Sequence, residues 1–298
     1  MHLLLTKIRN LDLPLDCQIK LFQHPVQPIL LYGAEIWGFE NIDIIDKVYT
    51  DFLKYILHVK KSTPHSMIYG EIGTFPIHIQ TKLQMITYWA KLIKGKSNKL
   101  SNVMYRVLYT DSIANKYEYK WISFIKNTLD ELGLSYIWIN NDFPSIVWIK
   151  NKVSRSLKDS FMQSWQANIE ASSKCLNYKL FKSEHKFENY LTKLPPTLRQ
   201  IFINFRLCNN RLPIETGRWR DIPRSDRICL LCNKNSIGDE FHYVFDCLYF
   251  KQDRIKYLPK YFTKNSNIIK FNELFNIKSH RKLRNVCYFL KKILNTYK

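Results

Sequence analysis

Arg227-Ile228-Cys229-Leu230-Leu231-Cys232 and Phe241-His242-Tyr243-Val244-Phe245-Asp246-Cys247 together read C-x2-C-x9-H-x4-C. Zn²⁺ takes four thiolate or imidazole ligands in a tetrahedron, and a structural site fills all four positions. Cys229 and Cys232 stand at the spacing that lets one tight loop present two sulfurs to one ion. Gly238-Asp239 reads as a helix start, with Asp239 placed to cap free N–H groups. His242 then falls in the first turns, with Cys247 five residues on. Five residues of ideal helix rotate by about 140°, so that turn must tighten or loosen for both side chains to meet one ion. The alternative is four unrelated residues whose thiols serve as small buried hydrophobes. The spacing favours one structural Zn²⁺ on Cys229, Cys232, His242 and Cys247. With four protein ligands no position stays open for water, so the metal is structural and not catalytic.

Outward from this motif the chain is rich in arginine. Seven of the thirteen Arg residues lie between Arg199 and Arg227. Arg199 and Arg206 sit on a helix expected over 197–208, which follows Leu194-Pro195-Pro196. Arg211, Arg218, Arg220, Arg224 and Arg227 fall in a stretch that reads as loop, with Asn209-Asn210, Pro213, Gly217 and Pro223. Guanidinium forks match phosphate oxygens in two-point contacts, and Trp219, between Arg218 and Arg220, offers a face for a base. The alternative is that these Arg residues tie loop carbonyls and nearby acids (Glu215, Asp221, Asp226) together. The whole-chain balance favours phosphate. Against 46 Lys and Arg stand 25 Asp and Glu, a formal charge of +21. Such a charge points first to nucleic acid. A merely soluble Lys-rich protein is the bland alternative, and the scattered Lys residues suit it.

With 298 residues, 46% hydrophobic and 14% aromatic, the chain can bury a sizeable core and is not disordered. Its seven cysteines are an odd number, and Cys17, Cys175, Cys208 and Cys287 show no pairing pattern. Met1-His2-Leu3-Leu4-Leu5 is too short for a secretory signal, and no run approaches the roughly 18 apolar residues of a membrane span. We therefore expect a reducing nuclear or cytoplasmic compartment, no secretion and no membrane partner.

Periodicity predicts a mainly α fold. Helices are expected over Leu11–Leu31, with Pro14 near the front and Pro25 and Pro28 interrupting, over 42–59, after Thr63-Pro64 with Thr63 as N-cap, and from Pro76 to Gly95. Gly70 and Gly73 are expected to break the third of these. The fourth carries Ile79, Leu83, Ile86, Trp89, Ala90 and Ile93 as a core stripe. Two helices follow over 103–134. Tyr136-Ile137-Trp138-Ile139 reads as a short strand or extended loop. A long helix begins at Ser145, and Leu248-Tyr249-Phe250 is expected to prolong the zinc helix. Helices at 268–275 and 279–297 close the chain. Between Pro25 and Gly38, Gly33 and Gly38 bracket Glu35, a packing or capping carboxylate without a catalytic partner. Gly-rich phosphate loops, G-x-S-x-G and H-E-x-x-H are absent, as is an aromatic-x-Asp-Asp pair for two-metal chemistry. No catalytic residue is expected.

The stretch Pro28-Ile29-Leu30-Leu31-Tyr32-Gly33-Ala34-Glu35-Ile36-Trp37-Gly38 resembles the region after the palm in reverse transcriptases of non-LTR (LINE-type) retrotransposons. Arg211-Leu212-Pro213-Ile214-Glu215-Thr216-Gly217-Arg218-Trp219 through Cys247 is similar to the zinc-binding region at the C-terminal end of the same polyproteins. The family's catalytic carboxylates lie upstream of these motifs. The resemblance therefore implies the nucleic-acid-holding part without polymerase chemistry: a thumb-like helical bundle over 1–95, a helical connector over 96–194, the zinc-binding domain over 195–258 and C-terminal helices over 259–298. The partner it implies is RNA or an RNA/DNA duplex. The competing expectation is a structural or protein-interaction module with incidental charge.

Overall fold

The computed structural model describes residues 13–96, 98–114 and 116–297, apart from the Cys175 side chain. The first twelve residues of the expected 1–95 bundle lie outside the described residues. The fold is mainly α. Among the described residues no strand forms, and the only extended pairing is an isolated antiparallel bridge between Ile228 and Ile237. No helix among them is long and apolar enough to cross a membrane.

The chain divides into two compact units. One takes the described residues up to Phe52 together with Phe75–Trp165; the other takes Leu53–Thr74 and Gln166 onward. The segment expected as one bundle over 1–95 thus contributes 53–74 to the second unit.

The first unit is built on the Ile77–Lys94 helix. Ile79, Leu83, Ile86, Trp89 and Ala90 are buried, as the stripe required, and Ile93 packs against them. Trp89 is fully enclosed, its ring stacked on Trp138 at 5.7 Å and its N–H donating to the Tyr105 hydroxyl at 2.9 Å. Trp138 reaches that core from a helix, Ser135–Asn140, closed by Asn141 at φ 48°. The strand expected there is corrected: four apolar residues in a row bury Ile137 and Trp138 on one helical side. Gly38 follows the one-turn Ala34–Trp37 helix. A Cβ at Gly38 would stand 2.4 Å from both the Ala34 carbonyl and Thr81 Cγ2, so glycine is required for this turn to lie against the long helix. The Glu35 carbonyl accepts the Trp121 indole N–H at 2.8 Å, which ties the same turn to the Lys120–Glu131 helix.

The second unit contains the His65–Ile72 helix. Two expectations about it are corrected. Pro64 is extended at ψ 139°, so the helix begins one residue later than expected, and Thr63 does not cap it. The Thr63 hydroxyl is instead buried with no hydrogen-bond partner among the described residues. Gly70 lies inside the helix, where all neighbours from Met67 to Ile72 are buried; only Gly73, at φ 65°, ends it. The Pro196–Arg206 and His280–Thr296 helices pack together in this unit, and Phe271, Leu274 and Phe275 of the Ile268–Phe275 helix join the core.

Candidate metal centre

A hairpin-like arm carries the first two ligands. Cys229 N–H donates to the Ser236 carbonyl at 2.8 Å, and Gly238 N–H to the Arg227 carbonyl at 2.8 Å, flanking the Ile228–Ile237 bridge. The other two come from the turn after Asp239. The Asp239 carboxylate accepts the His242 backbone N–H at 3.0 Å, the capping expected of it. His242–Asp246 is a π turn, closed by Cys247 N–H donating to the His242 carbonyl at 2.8 Å. The turn has loosened rather than tightened. An i→i+5 bond brings residues five apart back toward register, as the H-x4-C spacing demands.

The four ligand atoms lie within 4.8 Å of one another, with Cys229, His242 and Cys247 buried and Cys232 half-buried. Cys229 and Cys247 sulfurs are 3.8 Å apart, Cys229 and Cys232 sulfurs 3.7 Å, and Cys232 Sγ is 3.4 Å from His242 Nε2. These separations are far too long for a disulfide. A tetrahedron with metal–sulfur arms of about 2.3 Å and metal–nitrogen arms of about 2.0 Å has edges of about 3.8 Å (S–S) and about 3.5 Å (S–N). The side chains present thus fit one tetrahedral metal ion.

The surroundings act on these side chains in different directions. Burial alone would raise the Cys229 thiol, but hydrogen bonds from the Tyr243 hydroxyl and the Leu231 and Cys232 N–H groups outweigh it and hold the thiol below its ordinary value. Burial and the neighbouring Cys229 push Cys247 up to about 12. Thiolates this close need a cation between them. Burial lowers His242, which favours the neutral, ligating imidazole.

Two residues outside the motif hold the geometry. Tyr243 is fully buried, and its hydroxyl meets both Cys229 and Tyr297. Arg254, also buried, donates to the Val244 carbonyl at 2.6 Å and the Cys247 carbonyl at 3.0 Å, tying off the end of the π turn. Neither was legible as a site residue, although a cation just past a helical turn is suited to its last carbonyls. The expected apolar prolongation of the zinc helix does not occur. Cys247 is extended at ψ 121°, and a new helix starts at Lys251, so Leu248 and Tyr249 are exposed.

The arginines part company. The stretch read as loop contains a helix, Pro213–Trp219, with Pro213 at its first position. Arg206 is enclosed in the core and bonded to Glu71, so its expected phosphate contact is corrected. Arg227 donates to the Ile222 carbonyl at 2.8 Å and the Ile214 carbonyl at 3.2 Å. Its stem runs so close to Gly217 that a Cβ there would meet Arg227 Cγ at 2.5 Å. Arg199 donates to the Leu191 carbonyl, Arg218 pairs with Glu215, and Arg224 pairs with Asp239. Arg211, Trp219 and Arg220 are exposed.

A second group gathers Cys208, Glu215 and Glu240, all buried and with ligand-type atoms within 4.8 Å. Its oxygens already accept hydrogen bonds: Glu240 from Asn177 at 2.6 Å and Asn210 at 3.3 Å, Glu215 from Arg218 at 3.4 Å. Burial and the neighbouring Glu240 push Glu215 up to about 7, and burial and Asp239 raise Glu240. Both carboxyls are thus held toward the protonated form, chiefly by burial. Comparison with known proteins finds no matching family, no matching curated protein and no matching solved structure.

Proposed function

We propose that this chain is a non-enzymatic nucleic-acid-binding protein built around one structural zinc ion. It corresponds to the part that follows the palm in a LINE-type reverse transcriptase. The observation that carries this reading is the Cys229/Cys232/His242/Cys247 cluster, whose Cys229–Cys247, Cys229–Cys232 and Cys232–His242 edges match a zinc tetrahedron. A formal charge of +21 supports a polyanionic partner. Zinc fits better than a hard cation because three of four donors are sulfur. Its part here is to hold the arm and the π turn together, beside the chain that carries Arg211, Trp219 and Arg220. The resemblance of Pro28–Gly38 and Arg211–Cys247 supports RNA or an RNA/DNA duplex as the partner.

A second reading is an interaction module in which the charge is incidental. The internal bonds of Arg199, Arg206, Arg218, Arg224 and Arg227 favour it. One experiment separates the two. The reduced, full chain is assayed for zinc and titrated with RNA and RNA/DNA duplex across a salt series. Nucleic-acid binding predicts stoichiometric zinc and log K falling with log salt, by about 0.9 per phosphate on a B-form duplex and about 0.7 on single strands. Salt-independent or absent binding selects the interaction module. Metal-free protein with full C-terminal helicity removes the zinc.

A further inference from the structure

Other stretches of the second unit meet the Pro213–Trp219 helix and the chain just before it. The Gln200 side chain donates to the His58 carbonyl at 3.0 Å and holds the 58–60 turn against the Pro196–Arg206 helix. Arg218 donates to the Ser173 carbonyl at 3.3 Å, and the Cys208 thiol to the Lys174 carbonyl at 3.4 Å. Lys60 is thereby placed with its ammonium 4.1 Å from the centroid of the Trp219 ring. Burial, then repulsion from Lys174 and Arg211, outweighs the attraction of Glu215 and lowers Lys60 from its ordinary value. Among the described residues no ion pair takes up Lys60, Lys174 or Arg211. Trp219 remains 51% exposed.

Holding three cations together, with only the buried Glu215, itself held toward the protonated form, to offset them, costs energy that an arriving anion would recover. An indole among them adds a flat face, and every base has a face to lay on it. Bases within a duplex have both faces occupied by stacking, so only an unpaired base can use this one. We propose that Lys60, Lys174 and Arg211, gathered around Trp219, form a binding site for an unpaired nucleotide, the cations on its phosphates and its base on the exposed part of the indole. This rests on the nucleic-acid reading above and narrows it to single-stranded RNA or DNA. Lys60 and Lys174 lie far from the zinc motif in sequence, and only the fold brings them to it.

The test uses the full, zinc-loaded chain and four probes: oligouridine, oligothymidine, a duplex of the same length, and heparin, which has charge but no bases. Trp219→Ala weakens both single strands about tenfold, the loss of one stacked base, and leaves heparin and the duplex nearly unchanged. Trp219→Phe retains most of the affinity. Lys60→Ala with Arg211→Ala lowers the single-strand salt slope by about 1.4, two phosphates' worth. A loss confined to oligouridine identifies the strand as RNA, and an equal loss leaves both strand types as ligands of the site. Wild-type affinity and slope in both variants overturn the site while leaving nucleic-acid binding intact. An equal loss for heparin on Trp219→Ala overturns the stacking. No binding by the unaltered chain overturns the site and the broader reading together.

Discussion

The Arg206 guanidinium grips the Glu71 carboxylate across a sequence separation of 135 residues, Nη2 to Oε1 at 2.8 Å, with neither side chain reached by solvent. A second bond runs from Nε to Oε2 at 3.2 Å, and Nη1 donates to the Phe275 carbonyl at 3.0 Å. Tyr190 donates its hydroxyl to the same carboxylate. The guanidinium lies 4.5 Å from the Phe181 ring centroid and 5.2 Å from that of Tyr190. A buried pair of this kind adds little net stability over apolar replacements, but breaking it strands a charge.

Glu71→Ala is therefore expected to destabilise the second unit by about 3–5 kcal/mol, and Arg206→Met by a similar amount. Replacing both together, Glu71→Met with Arg206→Met, recovers much of the loss. Urea midpoints for the two single variants and the double close the cycle; fully additive losses would show that the pair does not act as a unit.

The same pair sets an acid limit. Burial works to raise Glu71, but Arg206 and Lys182 outweigh it and hold the carboxyl below 4.5. A depressed carboxyl contributes stability that is fully present above its unfolded value and is lost as pH falls through its folded value. The wild-type chain loses stability below about pH 4.5 by this route. Glu71→Gln lacks that contribution at neutral pH already, so its stability falls less steeply over the acid range. Equal acid slopes in the two proteins would clear Glu71 of the effect.

Removing the metal is expected to act locally. Structural zinc contributes on the order of 10 kcal/mol to small modules at neutral pH. A chelator should expose the amides of the 227–247 segment to exchange, while the Ile77–Lys94 helix, whose core of Trp89, Ile86 and Trp138 is formed without metal ligands, stays protected. Unchanged protection at Cys229 and Cys247 after chelation would mean that hydrogen bonds alone hold the site.

Arg254 offers a finer probe of the same centre. Its bonds to the Val244 and Cys247 carbonyls anchor the backbone that presents the Cys247 ligand. Outer partners of this kind typically carry about 10–100-fold in metal affinity. Arg254→Ala should weaken zinc by that factor in a competition titration with a chromophoric chelator, without changing stoichiometry. Arg254→Lys, which keeps the charge but not the fork, should recover only part of it.

How far the chain could be read in advance follows from what each signal depends on. The gathering of Cys229, Cys232, His242 and Cys247 was legible because a spacing suited to one metal ion is a local signal, and the H-x4-C step even demanded a distorted turn. The Trp89 stripe was legible because helical burial repeats every three to four residues. The arginines were not, because a guanidinium's role depends on what the fold sets opposite it. Nothing near Arg206 in sequence announces Glu71. Pro213 was read as a loop residue, but proline is equally at home in the first turn of a helix. Lys60 and Lys174 were illegible for the same reason as Arg206: their neighbours arrive from other stretches of chain.

Glu215 gives the last prediction, with the opposite sign to Glu71. It lies buried against Glu240, with Arg218, Lys174 and Lys60 as the nearby cations. Burial, first, and Glu240 outweigh those cations and bring its carboxyl to about 7. A carboxyl raised on folding contributes stability that is present below its unfolded value, 4.5, and is lost as pH rises through its folded value. The chain should therefore lose stability between about pH 4.5 and pH 7, on the order of 3 kcal/mol at 1.36 kcal/mol per unit. Glu215→Gln keeps the shape and cannot ionise. It should match the wild type at the acid end and exceed it above neutrality. If Glu215→Gln is no more stable than wild type at pH 8, folding does not raise this carboxyl.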